Sequence, residues 1–576
     1  MQTHSGVKYF SQTFILLSFL LASQLSSGQF TQQDTLRGSI TQGRKAWNVL
    51  KYDITVKPDF QNKTIEGKVT IIYRFSKKLS YDILAKILKG EYNMQIDLQQ
   101  PLIIDSIIWN EPIWIGSHSK IKREGNRPGK AKFKREGNVA FVSLWAEADL
   151  EDSIIIFYHG KPRQAINPPW DGGWIWKKDE KGNPWMSVAC QGLGASVWYP
   201  CKDHQSDEPD NGASLTIVAP DTLTAVGNGR LTNKKNNNDG TTSWTWEVKS
   251  PINNYNIIPY IGKYATWHDE YNGEKGKLDL DYWVLDYNLE KAMKQFGRDV
   301  KPMLQCFENW FGPYPFYEDG YKLVESPHLG MEHQSAVAYG NKYMNGYLGR
   351  DLSGSGWGKD WDYIIVHESG HEWFGNNITT NDIADMWVHE GFTDYSEPLF
   401  VECKYGKNAA DAYCQGLRRN INNDKPVIGP YGVNKEGSGD MYAKGANLLH
   451  TIRQIIGDEK FREILRGLNK DLYHKTTTSK EVEAYFSKKS GRDLSRIFDQ
   501  YLRTTKIPVL EYKINGRDIQ YRWVNVVPGF SMPVKITEGD KERWIKPTTQ
   551  WQKSILQAGA TGFLPDRNFY IEVKKI

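Results

Sequence analysis

The fold is decided by residues 363–391, YIIVHESGHEWFGNNITTNDIADMWVHEG. This stretch opens with an apolar run typical of a buried helix, and it then places His367 and His371 four residues apart. Side chains at that spacing lie on one face of a helix, so both imidazoles can reach one metal ion. Glu390 follows after eighteen residues and can supply a third ligand from a following helix. Two imidazoles and one carboxylate leave a fourth tetrahedral position for water, which is typical of a catalytic zinc site.

The sequence therefore predicts one Zn²⁺ per chain, bound by His367, His371 and Glu390. Glu368 lies on the same helical turn as His367, where its carboxylate would accept a proton from the water molecule. The alternative is an accidental match, because a bare HExxH pattern arises by chance in a chain this long on the order of 1% of the time. The downstream Glu390 and the apolar helix favour the zinc site over this alternative.

The size and composition of the chain indicate several folded domains. Its 576 residues exceed what one hydrophobic core organises, and 39% apolar and 13% aromatic residues exclude a disordered chain. The formal net charge of +5 comes from 73 basic and 68 acidic residues. Such a near-balance gives no reason to expect a nucleic-acid partner or a stable membrane partner. The sequence makes no prediction of the oligomeric state.

The N-terminus has the layout of a cleavable secretory signal. Lys8 precedes an apolar run over residues 14–22, and the small residues 26–28 follow. We therefore predict a signal peptide over residues 1–28 and export of the protein to a periplasmic or extracellular location. The alternative is an uncleaved signal anchor. Beyond residue 30, no apolar run approaches the ~18 residues that a membrane-spanning helix needs.

The cysteine pattern leaves several disulfide pairings open. Five cysteines are present, and in an exported protein an odd number leaves at least one thiol without a partner in the chain. Cys190–Cys201 and Cys403–Cys414 are the pairs close enough in sequence to form local disulfides, and Cys306 remains. None of the five has the spacing of a metal cluster, so zinc ligands must come from histidine and glutamate.

Strand and helix signals divide the chain into three regions. Residues 29–285 are rich in β-branched and alternating stretches separated by polar turns, which predicts a large antiparallel β domain. Residues 286–505 are mainly helical, with apolar residues at intervals of three and four from 288 to 311. Residues 506–576 return to strands around the turn Asn515-Gly516, which predicts a small β-sandwich module. The fold class is therefore multidomain α+β.

The motif residues resemble those of a known family. His367 to Thr379 reads HESGHEWFGNNIT and residues 390–397 read EGFTDYSE, a pattern similar to the aminopeptidase N family of zinc peptidases, which includes leukotriene hydrolase. Residues 329–333, LGMEH, resemble the Gly-x-Met-Glu-Asn loop of that family. Residues 442–446, YAKGA, resemble the segment with its catalytic tyrosine. The resemblance covers most of the chain from about residue 185 to residue 510.

This resemblance implies a β saddle domain, a thermolysin-like catalytic domain, and hydrolysis of N-terminal residues from peptides with free N-termini. It implies that the Tyr442 hydroxyl stabilises the oxyanion, although a packing role is the alternative for this tyrosine. It also implies that Glu332 pairs with the α-ammonium group of the substrate, assisted by Gln191. Gly330 and Met331 of the same loop are expected to contact the substrate backbone.

The sequence also departs from the family pattern. His333 and Leu329 replace the usual Asn and first Gly of the loop, and His389 replaces an Asn before Glu390. An imidazole at 333 is expected to hydrogen-bond as the amide does and to shift the pH optimum when it titrates. The short stretch after residue 505 predicts an open cleft that accepts longer peptides, and no epoxide hydrolase activity. Two other readings remain: a thermolysin-like endopeptidase and a catalytically silent peptide-binding scaffold.

Overall fold

The computed structural model describes residues 30–75, 93–115, 122–144, 151–556 and 562–576. The predicted signal peptide at residues 1–28 lies outside this part of the chain, and its cleavage remains a prediction. Among the described residues, no helix has both the length and the apolar character needed to cross a bilayer.

The N-terminal region begins with two short helices and continues almost entirely as strands. Helix α1 is Gln32–Gly38 and helix α2 is Gln42–Lys45. The strands are β1 (Trp47–Asp59), β2 (Thr64–Phe75), β3 (Asn93–Asp97), β4 (Ile103–Ile115), β5 (Lys122–Lys130), β6 (Lys132–Glu136), β7 (Val139–Ser143), β8 (Glu151–Gly160), β9 (Gly173–Lys178), β10 (Pro184–Ala189), β11 (Ala213–Pro220), β12 (Thr224–Val226), β13 (Arg230–Asn236), β14 (Thr241–Val248) and β15 (Tyr260–Gly262).

Within the described residues these strands form three sheets, of which the largest has eight strands in the order β13-β14-β11-β1-β2-β8-β4-β5. The other two have the orders β12-β15-β10-β9 and β3-β7-β6. Alternation builds the inner faces: in β14, Trp244 and Trp246 are buried while their neighbours are partly exposed. The predicted antiparallel β region is confirmed, with one difference. Strands β1 and β11 pair in parallel, because the chain crosses through β2 to β10 before it returns beside β1.

A mixed five-stranded sheet joins the β region to the helical region. Its strands are β16 (Tyr264–Gly273), β17 (Gly276–Leu285), β18 (Tyr321–Glu325), β19 (Gly330–Met331) and β20 (Val337–Tyr339). The order is β16-β17-β18-β20-β19, so β19 is an edge strand. Strand β17 pairs in parallel with β18, which makes the sheet continuous across residue 285.

The helical region contains eight α-helices. They are α3 (Leu289–Phe311), α4 (Tyr363–Gly370), α5 (Trp387–Tyr405), α6 (Lys407–Leu417), α7 (Ala443–Ile456), α8 (Asp458–Asp471), α9 (Ser479–Ser490) and α10 (Ser495–Arg503). Of these, α3 and α4 pack on the five-stranded sheet and the others pack mainly on one another. Two short strands, β21 (Ile378–Thr380) and β22 (Lys475–Thr477), pair in parallel between them. The predicted helix over 288–311 is therefore confirmed as α3, and α4 and α5 carry the motif residues.

The C-terminal region forms two small sheets, as predicted. Its strands are β23 (Val509–Asn515), β24 (Asp518–Val524), β25 (Val534–Glu538), β26 (Lys541–Ile545), β27 (Gln552–Ile555), β28 (Leu564–Pro565) and β29 (Glu572–Lys575). The two orders are β27-β24-β23-β29 and β26-β25-β28. Trp523 and Phe563 belong to the same buried apolar cluster as the catalytic helices, so this region shares a core with them. The multidomain α+β fold class is confirmed.

The disulfide pairing differs from both local pairs suggested by the sequence. Cys306 of α3 is bonded to Cys403 of α5, and Cys190, Cys201 and Cys414 are buried free thiols. The sequence-based pairs are wrong because closeness along the chain does not decide which side chains meet. Helices α3 and α5 pack against each other, and this brings together two cysteines that are 97 residues apart.

Candidate active site

Helix α4 carries the first two predicted metal ligands, and its start is set by a buried cap. The Asp362 carboxylate accepts hydrogen bonds from the backbone N–H groups of Ile364 and Ile365, which would otherwise lack partners at the helix start. Tyr339 and Asn341 also donate to this carboxylate. The cap is therefore tied to β20, and it fixes where His367 lies relative to the sheet.

Three donor atoms converge at the end of α4. The Oε2 atom of Glu390 lies 3.7 Å from Nε2 of His367 and 3.3 Å from Nε2 of His371. This oxygen is buried and has no hydrogen-bond donor within the described residues. The three ligand atoms lie within 4.8 Å of one another. The structure thus brings together the three residues that the sequence predicts as zinc ligands.

The other ring nitrogens of the two histidines have hydrogen-bond partners that orient them. Nδ1 of His371 lies 2.9 Å from the carbonyl oxygen of Phe374, and a carbonyl can only accept, so Nδ1 carries the proton. Nδ1 of His367 lies 2.8 Å from a carboxylate oxygen of Glu397. In the neutral imidazoles, the form that binds a metal, both Nε2 lone pairs therefore face Glu390. A carboxylate or carbonyl behind each metal-binding histidine is typical of protein zinc sites, so the donor set fits zinc.

The ligand residues shift the pKa values of one another. Burial alone would raise the pKa of Glu390, but the neighbouring His371 and His367 hold it below its usual range. Burial alone would lower the pKa of His367, but the neighbouring carboxylates of Glu390 and Glu397 raise it. The site therefore keeps Glu390 ionised, which is the form that binds a cation.

Glu368 lies beside this donor set, under the edge strand β19. Its side chain lines the same cavity as the two histidines. Burial raises the pKa of Glu368 to about 7. A Cβ at position 330 would lie 2.6 Å from Oε1 of Glu368, so a larger residue there would displace this carboxylate. The predicted contact of Gly330 with the substrate backbone stays a prediction.

Tyr442 immediately precedes α7 and faces the same cavity. Its ring stacks on the imidazole of His367, with 6.0 Å between the centroids and 26° between the planes. Burial, and the nearby carboxylates of Glu390 and Glu436, raise the pKa of Tyr442 well above its usual value. The hydroxyl therefore stays protonated at neutral pH and can donate a hydrogen bond.

The position of Tyr442 depends on two glycines where α5 and α7 cross. A Cβ on Gly445 would lie 2.8 Å from Cα of Gly391. No side chain fits between the two backbones, so the helices approach closely. Gly391 follows the ligand Glu390, and Gly445 lies three residues after Tyr442. The crossing therefore holds the tyrosine beside the metal ligands.

Glu332 is buried on the opposite wall with two donors on one of its oxygens. Its Oε1 atom accepts hydrogen bonds from Nε2 of Gln191 at 2.6 Å and from the hydroxyl of Tyr255 at 2.9 Å. Asn376 donates to its backbone carbonyl. Burial raises the pKa of Glu332. The carboxylate is held in place through Oε1, which leaves Oε2 for a ligand in the cavity.

The two histidines that depart from the family pattern are buried and structural. Nδ1 of His333 lies 2.5 Å from the hydroxyl of Tyr260, and burial lowers the pKa of His333 well below its usual value. The expectation that His333 titrates near neutrality is therefore wrong. His389 accepts a hydrogen bond from the backbone of Thr380, and burial lowers its pKa to about 3.

The residues predicted as metal ligands, catalytic groups and substrate contacts line one cavity of about 290 Å³. Gln191, Glu332, Glu368 and Tyr442 line it together with the three metal ligands, and Met331 and Gly330 form part of its wall. The structure therefore brings together every candidate residue of the sequence analysis. It also places Glu436 in the cavity lining, which the sequence analysis did not identify.

Other residues of the site were also missed. Glu397 lies seven residues after Glu390 on α5, and that helical spacing was a usable signal for a partner to the zinc site. Tyr255 lies in a single 3-10 turn, Asn254–Asn256, and Glu436 in a segment without regular structure, and no local pattern marks either residue.

Comparisons with known proteins agree with this geometry. Residues 298–501 match the family model described as the peptidase family M1 domain. Aminopeptidase M1-D of Oryza sativa subsp. japonica is 20% identical over 461 residues, which are 78% of this chain and 51% of the rice protein. Aminopeptidase N of Lactococcus lactis subsp. lactis is 24% identical over 336 residues, 55% of this chain and 38% of that protein. The chain thus spans about half or less of the length of these relatives.

A solved structure also matches. The M1 zinc metallopeptidase of Deinococcus radiodurans, a mutant bound to a Tyr-Ser-Ala substrate, superposes with a TM-score of 0.64 at 18% identity. The alignment covers 81% of this chain and 96% of that chain, and at this identity it shows the fold. The family implies one zinc ion per chain, in agreement with the donor set described above. Together with the motif residues, these comparisons show that the chain is similar to peptidases of the M1 family, with the match to the family model over residues 298–501.

Proposed function

We propose that this protein is a zinc-dependent aminopeptidase that removes N-terminal residues from peptides with free N-termini. One observation carries the proposal: ligand atoms of Glu332, Glu368 and His371 lie within 4.8 Å of one another. In a peptide, the α-nitrogen and the first carbonyl carbon are only two bonds apart, about 2.5 Å. An α-ammonium group paired with Glu332 therefore brings the first peptide bond, and no later one, to Glu368 and the metal ligands.

The residues of the cavity supply the proton transfers and the hydrogen bonds of peptide hydrolysis. When bound at His367, His371 and Glu390, a zinc ion would polarise the scissile carbonyl and acidify a water molecule. Glu368 accepts the proton of the attacking water and then delivers it to the leaving amine. The hydroxyl of Tyr442 donates to the developing oxyanion without adding a charge to the site.

The relatives support the substrate class. The rice and Lactococcus proteins are named aminopeptidases, and the Deinococcus metallopeptidase binds a tripeptide substrate. In this chain, the edge strand β19 can pair with an extended peptide on its open side, as edge strands commonly do. The proposed substrates are therefore peptides bound in extended form with the free N-terminus at Glu332.

The test uses one decapeptide in two forms, one with a free N-terminus and one N-acetylated. Each form is incubated in the presence and in the absence of a chelator. We expect sequential removal of N-terminal residues from the free peptide, loss of turnover with chelator, and no cleavage of the acetylated peptide. Equal cleavage of both forms at internal bonds would establish a thermolysin-like endopeptidase instead. Absence of metal-dependent turnover with every peptide would establish a binding scaffold.

We also propose that the enzyme is exported after removal of residues 1–28. The Cys306–Cys403 disulfide supports this, because disulfides persist in oxidising compartments and are rare in the cytosol. Mass spectrometry of the protein recovered from periplasmic and extracellular fractions should give a mature chain that starts near residue 29. An intact N-terminus in a cytosolic fraction would contradict the proposal.

A further inference from the structure

The cavity lining contains one carboxylate that the proposed chemistry does not use. Glu436 lies in the segment between α6 and α7 and lines the same 290 Å³ cavity as Glu332, Glu368 and Glu390. In the part of the chain that the structure describes, its carboxylate makes no hydrogen bond or ion pair. Lys425, an exposed residue, is the basic side chain that acts on it, and it does so from outside the cavity lining.

The backbone around Glu436 is held on both sides. Nδ2 of Asn434 donates to the carbonyl oxygen of Gly192 at 2.8 Å, and the backbone N–H of Ser438 donates to Pro426 at 2.9 Å. Oε1 of Glu436 would lie 3.7 Å from a Cβ at position 192, next to Gln191. The segment therefore points this carboxylate towards the wall that holds Glu332.

The carboxylates of the cavity outnumber the positive charges that a zinc ion and a substrate α-ammonium group would bring to it. Four glutamates line it, and no lysine or arginine is among the described lining residues. One zinc ion and one α-ammonium group together carry three positive charges, which leaves one carboxylate uncompensated. Burial and the negative charges of Glu390 and Glu332 raise the pKa of Glu436 to about 7.

We propose that Glu436 selects substrates whose N-terminal residue has a cationic side chain, lysine or arginine. This inference rests on the proposed aminopeptidase function and names its substrate class. The α-ammonium group occupies Glu332, whose Oε1 is already fixed by Gln191 and Tyr255, so Glu436 is free for the side chain. Trp170 and Met441 line the same cavity and offer apolar surface to the aliphatic part of that side chain.

The decisive experiment compares arginyl and citrullinyl fluorogenic amides, because citrulline has nearly the shape of arginine without its charge. For the unsubstituted zinc enzyme we expect kcat/KM to be about 10–100-fold higher for the arginyl amide, the usual size of a charge-assisted contact. Glu436→Gln should reduce this ratio to within about threefold of one. The matched control is Glu459→Gln, since Glu459 is an exposed glutamate on α8. This variant should keep the full ratio of kcat/KM between the arginyl and citrullinyl amides.

A binding measurement makes the test independent of turnover. The Glu368→Gln enzyme should bind Arg-Ala-Ala about 10–100-fold more tightly than citrullinyl-Ala-Ala by calorimetry, and the added Glu436→Gln change should remove the difference. An equal loss on both substrates in Glu436→Gln would assign this residue to the α-ammonium group and overturn the inference. An arginyl-to-citrullinyl ratio near one in the unsubstituted enzyme would also overturn it.

The outcomes separate this inference from the proposed function. If leucyl and alanyl amides are hydrolysed but no preference for arginine appears, only the role of Glu436 fails. If no aminoacyl amide is hydrolysed with zinc present, the aminopeptidase function fails, and the calorimetric comparison still decides whether Glu436 recognises a cation.

Discussion

The two sides of the catalytic cleft are built in different ways. The helical side, residues 363–371 and 387–397, carries the metal ligands and Glu368 on two adjacent helices. The assembled side, residues 190–192, 329–333 and 434–442, carries Gln191, Glu332 and Tyr442 on three segments that are far apart in sequence. Helical spacing and the packing of two neighbouring helices set the geometry of the first side, whereas the second exists only when three distant segments are packed together.

This difference is visible in the hydrogen bonds. On the helical side, His371 bonds to a carbonyl three residues away, and the partner of His367 is 30 residues away. On the assembled side, the bond between Gln191 and Glu332 joins residues 141 apart, and the bond between Gly192 and Asn434 joins residues 242 apart. The comparison teaches that the metal-binding half of the site is local, and that the half that recognises the peptide is a product of tertiary packing.

The largest effect is expected from the helical side. Glu368→Gln should lower kcat by about 10²–10⁴, because the amide cannot accept the proton of the attacking water. Zinc content should stay at one ion per chain, since the ligand atoms belong to His367, His371 and Glu390. Steady-state kinetics and metal analysis of the same preparation test both statements. A fully active variant would assign the base to another residue.

The corresponding change on the assembled side should have a smaller effect. Tyr442→Phe should lower kcat by about 10²–10³, since it removes one hydrogen bond to the oxyanion and leaves the packing of the ring intact. Tyr473→Phe is the matched control on a tyrosine that is 40% exposed, and we expect it to keep normal kcat. Equal kcat in both variants would make Tyr442 a packing residue, which was the alternative from the sequence.

The same contrast explains what the sequence predicts. The two histidine ligands follow from a four-residue spacing within one short stretch, and Glu390 joins them through the packing of α4 against the next helix, α5. The helix α3 and the strands of the C-terminal region follow from periodicity in the same way. The close approach of Gly391 and Gly445 could not be predicted from the sequence, because nothing in either local stretch shows that these two glycines meet.

The cysteines show most clearly what cannot be predicted from the sequence alone. Sequence proximity suggested Cys403–Cys414, but Cys414 is buried on α6 and Cys403 faces α3 from α5. The partner of Cys403 is decided by helix packing, which has no short-range signature.

The prediction for His333 is wrong for a related reason. The residue type suggests titration near neutrality, but burial beside Tyr260 lowers the pKa of His333. Burial is a tertiary property, so pKa values are the part of the site least accessible from sequence.

An intermediate effect is expected for Glu397, the carboxylate that hydrogen-bonds to the zinc ligand His367. Glu397→Gln should weaken zinc affinity by about 10–100-fold, because the neutral amide no longer supports the imidazole of His367 as the carboxylate does. Competition with a chromogenic chelator measures this directly, and Glu459→Gln serves as the surface control. Unchanged affinity would mean that the geometry of α4 alone sets the zinc site.

The smallest effect concerns stability and involves one buried histidine near each side. Burial lowers the pKa of His204, in the N-terminal region, and of His450, on α7, to about 3. The unfolded chain, with histidine pKa near 6.5, then binds more protons than the folded chain between pH 6.5 and about 3. The free energy of unfolding is therefore greatest above pH 6.5 and should fall by up to about 1.4 kcal/mol per pH unit for each histidine as the pH drops through this window.

Urea denaturation at pH 7 and pH 5 tests this expectation, with His450→Gln and His268→Gln as a matched pair. His450→Gln should make the decrease in the free energy of unfolding between pH 7 and pH 5 smaller, by the amount that His450 contributes. His268 is exposed and its hydrogen bond to Asp281 raises its pKa, so it contributes with the opposite sign and its removal should not reduce the loss. If His450→Gln shows the same acid sensitivity as the parent, His450 does not contribute to it, and the loss of stability must come from other groups that titrate between the two pH values.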